Sequence, residues 1–345
     1  MASSMEQNNR ITEFYNNSVV LLCGATGFMG KVLLEKILRN VNVRTIYVLI
    51  RRKHNLDGQQ RLKELLSETL FENIDQEKLT NCVKPLDVDF DQDDLSINEN
   101  IRSVLVDEVE IVFNLIASIK FNEPLESALK INVEYTQRVL RMVTSFRRLR
   151  SIIHVSTFYS NCDRSFIEEK VFEDIPFGGY DNIRRIMAPL SPSEKQILTP
   201  HILGKLPNSY TFSKKCTELM IRDHFGNLPI GIFRPPIVGP VYRDPIPGWL
   251  DNFNGPSGVL FAIHEGMLRV IPLDKKKKPF LAPVDFCVNG MLCCAVDIAS
   301  LLAEKIPVYN FTDEFQLYNW GEIFCGFMNG MSPLRRFFKY AEVSL

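Results

Sequence analysis

The sequence has no Cys-x-x-Cys pair, no clustered histidines and no marked excess of either charge. It also has no run of about 18 apolar residues, the length a bilayer-spanning helix needs. Each absence removes a class of protein. Eight cysteines scattered over 345 residues read as reduced cytosolic thiols, not as a disulfide framework or a zinc site. The histidines, His54, His154, His201, His224 and His264, show no ligand spacing, so no metal is expected. His154 lies inside an apolar strand and reads as core. A formal net charge of -1 gives no general attraction for nucleic acid, and none is expected as a partner. The polar N-terminus, MASSMEQNNRITEFYNN, carries no apolar signal core. MLCCAVDIASLLA (291–303) is too short to span a bilayer and is interrupted by Asp297, so a buried or amphipathic helix is expected there.

What is present is an ordinary globular composition, 46% hydrophobic and 23% charged, with enough apolar residues for a sizeable core. Short apolar runs end at Leu22, Ile50, Ala117, Thr157 and Pro236 and read as strands. Stretches at helical spacing lie between them, over 31–39, 59–70 and 129–146. This alternation predicts an α/β fold, a doubly wound parallel Rossmann sheet covered on both faces. The expected organisation is a tail over 1–15 and a dinucleotide-binding domain over 16–240. Within that domain, 163–206 is polar, rich in Pro and Gly and weak in periodicity, and reads as an insertion over the site. A smaller substrate-side lobe is expected over 241–305, followed by a divergent segment over 306–345.

Gly24, Gly27 and Gly30 follow a strand and open a helix, as a pyrophosphate-binding turn requires. Thr26, Phe28 and Met29 stand between them as further cofactor contacts. The second strand ends in Arg51, Arg52 and Lys53 with no acid until Asp57. Guanidinium groups there suit a ribose 2′-phosphate and point to NADPH, with Arg51 the stronger candidate; for Arg52 and Lys53 a solvated basic edge is an equal reading. Asp89 either accepts from an adenine amino group or caps a turn. Asn114, Ala117 and Ser118 end a strand where they would flank the nicotinamide ribose, although Asn114 also fits a buried structural amide. Pro236 follows the strand ending IFR.

The reactive group is expected from PNSYTFSKK and HVSTFYSN. On a helix, Tyr210 and Lys214 share one face. An ammonium beside a phenol lowers its pKa, and a nearby hydroxyl holds a carbonyl oxygen that gains charge as hydride arrives. Ser156 and Thr157 are adjacent, so in a strand they point to opposite faces and only one faces the substrate, unless the strand has already ended; Thr157 is favoured and Ser156 is second. Cys162 reads as an ordinary half-buried thiol. Lys275–Lys278 reads as a solvated loop, with anionic lipid or CoA phosphates as the alternative.

Taken in order from about Ile11 to Gly290, ITEFYNN, GATGFMGKVLLEKILR, IYVLIRRK, VFNLIASIKFNEPL, INVEYTQRVL, HVSTFYSN, PNSYTFSKKCTELMI, IFRPPIVGP, PGWLDNFNGPSG and PVDFCVNG resemble an extended short-chain dehydrogenase/reductase. More closely, they resemble the fatty acyl-CoA reductase family. The resemblance implies reduction of long-chain fatty acyl-CoA by NADPH to an aldehyde and then to a primary alcohol. It implies catalytic roles for Tyr210, Lys214 and Thr157 and cofactor roles for Gly24, Gly27, Gly30, Arg51 and Asp89. It puts 247–258 beside the acyl-CoA entrance. Cys23, Val88 and Ile116 depart from the family's usual threonine, glycine and small residue. Family members continue into a helical C-terminal domain, whereas this sequence ends at Leu345, so a chain without that domain is expected. The resemblance implies work at the cytosolic face of peroxisomal or endoplasmic reticulum membranes. It leaves open peripheral membrane association and homo- or hetero-oligomers. Two alternatives stand beside it: an extended short-chain reductase or epimerase acting on another substrate, and a truncated NADP-binding paralogue without turnover.

Overall fold

The computed structural model describes residues 10–51, 56–301, 305–312, 318–330 and 341–342. Its centre is a seven-stranded, wholly parallel sheet in the order β10-β6-β5-β4-β1-β2-β3. The strands are β1 (Val19–Cys23), β2 (Thr45–Arg51), β3 (Val83–Val88), β4 (Ile111–Asn114), β5 (Ser151–Val155), β6 (Ile230–Arg234) and, later in the chain, β10 (Val308–Asn310). Every residue of β1, β4, β5 and β6 is buried, as strands covered on both faces must be. The chain builds outward from β1 through β2 and β3, then crosses back to β4, which pairs β1 through Val20↔Ile111 and Cys23↔Asn114. That reversal opens the crevice beyond the strand ends where such sheets take ligands.

The helices in chain order are α1 (10–15), α2 (Phe28–Asn40), α3 (Gly58–Leu66), α4 (Gln76–Cys82), α5 (Glu99–Glu108), α6 (Leu125–Leu129), α7 (Tyr135–Val143), α8 (Tyr180–Met187), α9 (Pro192–Leu203) and α10 (Ser209–Phe225). Alternate strand residues Val19, Leu21, Val112, Ile152 and Ile230 share one core with Leu105 of α5, Val139 of α7, Ile183 of α8, Ile202 of α9 and Phe212 of α10. A π turn over Lys130–Glu134 joins α6 to α7 and shifts the register of the helix at Asn132.

The insertion is more ordered than its weak periodicity suggests. It contains α8, which buries Tyr180, Ile183 and Met187, and α9, opened by a capping box between Ser191 and Glu194. Ahead of these helices, residues 163–174 form a strap held by charge. Lys215 of α10 is buried between Asp174, at 3.1 Å, and Asp163, at 3.6 Å.

The chain divides into two compact units, 1–235 with 288–311, and 236–287 with 312–345. In the second unit, β7 (Ile237–Gly239) pairs in parallel with β9 (Leu281–Pro283), while β8 (Pro272–Leu273) lies between them in sequence. Helices α11 (Pro256–His264) and α13 (Trp320–Gly330) share a small core built on Ile263 and Phe324. Of the stretch expected as a buried or amphipathic helix, residues 291–300 lie in α12 (Val284–Ser300), and 302–303 lie outside the described residues. Among the described residues, no helix is long and apolar enough to cross a membrane.

Among its buried polar groups the first unit holds an ion pair. Arg234, at the end of β6, and Glu218 of α10 are 0% and 1% exposed and meet in a two-bonded fork at 2.9 and 2.6 Å. Removing one partner strands a buried charge. Glu218→Ala is therefore expected to cost about 3–5 kcal/mol, seen as a lower urea midpoint. The double change Glu218→Leu with Arg234→Met should cost distinctly less, because neither charge is then left alone.

Candidate active site

The glycine loop is built for close approach. Gly24 has φ +90°, and a Cβ there would meet the Leu115 carbonyl at 3.0 Å. At Gly30 a Cβ would stand 2.1 Å from the Gly24 carbonyl oxygen, so any side chain would push α2 off the loop. Gly27 is the N-cap of α2 and offers no side-chain cap, and the first turn of the helix holds no acid. The positive end of the helix dipole is thus left for an anion, with Thr26 exposed and Phe28 and Met29 half-buried beside it. These residues fit a dinucleotide pyrophosphate.

Arg51 ends β2 and is exposed. Arg52 and Lys53 lie outside the described residues. Sequence reasoning missed Arg61 of α3, whose guanidinium donates to the Arg51 carbonyl. Burial, and then the Arg51 charge, hold the Arg61 guanidinium below its usual range, so two cations share this corner. Its only signal was a basic residue in the first turns of the helix after β2. Asp89 is exposed, and one carboxylate oxygen accepts from the Asp91 N–H at 2.9 Å, which is the turn-capping geometry.

At the end of β4, Asn114 is fully buried. Its amide donates toward Thr136 and faces His154 Nδ1, both at 3.3 Å, and its carbonyl oxygen accepts from the Ile116 N–H. Its polar atoms thus have partners inside the protein, which is the structural-amide arrangement. Burial first, and the Lys214 charge second, hold the His154 imidazole well below its usual range and keep it neutral. Ala117 and Ser118 follow on the exit loop, half-buried. Pro236 follows β6 as the first residue of the second unit.

Ser156 and Thr157 lie just past the end of β5, with Thr157 still in extended backbone, and their side chains take different partners. The Ser156 hydroxyl donates to Glu218 at 2.5 Å and so joins the buried ion pair. Thr157 turns the other way. Its hydroxyl accepts from the Tyr159 N–H at 3.2 Å and stands close enough to the Tyr210 phenol to lower its pKa. Asn208 caps α10 by accepting from the Thr211 N–H, which fixes the start of the helix one residue before Tyr210. The Lys214 ammonium is buried and donates to the Val155 carbonyl at 2.7 Å, one residue before Ser156.

The electrostatics correct one expectation. Burial pushes the Tyr210 phenol up to about 12, and the nearby Thr157 hydroxyl opposes this only in part. Burial also pulls Lys214 down to about 8, against the pull of Glu218. One cause moves the two groups in opposite senses, because burial disfavours phenolate and ammonium alike. The folded chain therefore keeps the phenol protonated instead of lowering its pKa.

Asn132, in the π turn, is a second residue the sequence did not mark. Its side chain accepts from the Ser118 N–H at 2.7 Å and donates to the Ser213 hydroxyl at 2.8 Å, tying the β4 exit loop to α10. A buried asparagine in an apolar helix was the available clue.

The sequence profile of the NAD-binding family described as male sterility protein matches residues 22–291. The chain is 35% identical to fatty acyl-CoA reductase 1 of Xenopus laevis over 341 residues, covering 97% of this chain and 66% of the relative. It is 34% identical to fatty acyl-CoA reductase wat of Drosophila melanogaster, covering 93% and 62%. The chain thus spans slightly less than two thirds of the length of these relatives. Among solved structures, the terminal R domain of the myxalamid PKS-NRPS pathway superposes with a TM-score of 0.64 at 21% identity, covering 99% of this chain and 79% of that one. The reductase domain of a nonribosomal peptide synthetase from Mycobacterium tuberculosis gives 0.63 at 15%, covering 98% and 77%. These last two likenesses speak for the fold alone. On the match across 22–291, the chain belongs to the male sterility protein family of NAD-binding proteins, in the company of the fatty acyl-CoA reductases it resembles.

Proposed function

We propose that the chain reduces a long-chain fatty acyl-CoA with NADPH, first to the aldehyde and then to the primary alcohol. The observation that carries this reading is the Thr157 hydroxyl near the Tyr210 phenol with Lys214 one helical turn on, in a unit whose β1 loop only glycine permits. The names of the relatives support the substrate class. When bound, the reduced nicotinamide supplies hydride. Thr157 and Tyr210 hold the substrate oxygen while charge develops on it. In the first reduction, collapse of the tetrahedral species expels CoA thiolate, which takes a proton from solvent and leaves aldehyde. In the second, Tyr210 gives its proton to the alkoxide. Lys214, held against the Val155 carbonyl, presents its remaining N–H groups to the ribose hydroxyls. Each step consumes one hydride and one proton. Arg51 and Arg61 together, with no acid in the β2 strand, favour the 2′-phosphate of NADPH over the bare hydroxyl of NADH. By resemblance, the work is done at the cytosolic face of peroxisomal or endoplasmic reticulum membranes.

The first test is NADPH oxidation by the chain with palmitoyl-CoA, beside Tyr210→Phe, with hexadecanol assayed as product. Tyr210→Phe is expected to lose about 10²–10⁴ in rate with NADPH binding intact; equal rates would reject Tyr210 as proton donor. Raising pH through about 8 discharges Lys214, while the phenol stays protonated to about 12. Activity should therefore fall above pH 8, with an apparent pKa that disappears in Lys214→Met. Arg51→Ala is expected to weaken NADPH roughly tenfold, by losing one charge-assisted contact, and to leave NADH nearly unchanged. Equal losses for both cofactors would refute the 2′-phosphate assignment.

A further inference from the structure

The loop leaving β4 carries two large apolar side chains that the fold leaves in water. Ile119 is 51% exposed and Phe121 is 58% exposed. Phe121 is not at a free tip. Its ring centroid lies 5.8 Å from that of Tyr210, with the planes tilted by 37°. The backbone presenting it is fastened at several points. The Ser209 hydroxyl donates to the Glu123 carbonyl at 2.7 Å and reaches the Phe121 carbonyl at 3.5 Å. The Ser118 N–H is held by Asn132, and the Ser118 hydroxyl donates to the Glu123 carboxylate. Exposed aromatic surface is therefore kept in fixed register with the proton donor, and the hydrophobic effect rewards whatever apolar group covers it.

We propose that Phe121, with Ile119 beside it, is the wall on which the first methylenes of the substrate's aliphatic chain lie while the carbonyl oxygen is at Tyr210. The oxygen is held by the phenol, so the carbons next to the carbonyl come within reach of a ring that packs against that phenol. An aliphatic chain fits this surface because ring and methylenes exchange water for dispersion contact without needing a polar partner. A short or polar carbonyl compound gains nothing from it. The inference rests on the carbonyl-reduction reading and deepens it, since it assigns chain-length selectivity to this loop.

The experiment compares kcat/KM for decanal and for butanal with NADPH, using the full chain. Phe121→Ala is expected to lower the decanal-to-butanal ratio about tenfold, the scale on which lost apolar contact changes discrimination. The effect should fall mainly on KM. Phe121→Leu should keep most of the ratio, because it keeps an apolar surface. Ile101→Ala, an exposed apolar residue on α5, should leave the ratio unmoved. If Phe121→Ala slows both aldehydes alike, the ring only supports the fold of the loop and the wall is rejected. If the wild-type chain turns over neither aldehyde, the carbonyl-reduction reading fails and the wall fails with it.

Discussion

The arrangement of the first unit depends on one buried ion pair, Glu218 with Arg234. Two charges removed from water are tolerated only where geometry and further hydrogen bonds compensate. Here Glu218 also accepts from Ser156 and Ser160, while Arg234 donates to the Glu168 and Lys170 carbonyls and to Asn310. The pair therefore joins β6, α10, the end of β5, the strap and β10 at a single point. Tyr210 and Lys214 sit on the same helix as Glu218. Holding Glu218 holds that helix against the end of β5, where Thr157 waits for the phenol.

The site's charge states follow from the same burial. A low-dielectric setting resists any ionised group, so it keeps the Tyr210 phenol protonated, eases the proton off Lys214 and keeps His154 neutral. Lys214 keeps its ammonium at neutral pH, helped by Glu218 and by a bond to the Val155 carbonyl. A protonated phenol near a second hydroxyl is equipped to give a proton to an oxygen that becomes negative. The ion pair that positions α10 also helps to maintain the cation that the chemistry uses.

Much of the fold was legible in sequence because its signals are local. The glycine loop, the alternation of strands with helices and the four-residue spacing from Tyr210 to Lys214 are all set within a few turns of chain. The α8 and α9 helices were harder to see. Helix α9 contains Pro200 and buries only Ile202, so its hydrophobic pattern is weak. Asn132 and Arg61 were not marked because their partners, Ser118, Ser213 and Arg51, belong to other elements. Asp89 and Asn114 each left two readings open; a local turn supplied the hydrogen bond at Asp89, and long-range packing supplied those at Asn114.

The sequence by itself determined the alternation of strands and helices from β1 to β2 and the places where only glycine fits, since both follow from backbone sterics and periodicity. It also raised the expectation that one of Ser156 and Thr157 would face away if both lay in a strand; β5 in fact ends at Val155, and Thr157 keeps extended backbone beyond it. Only the tertiary structure decided which one: Glu218, distant in sequence, draws Ser156 inward and leaves Thr157 to Tyr210. It likewise decided the protonation of Tyr210 and Lys214. Charge states depend on how much water the fold excludes around a group, and that exclusion is a property of packed elements that no short stretch of sequence carries.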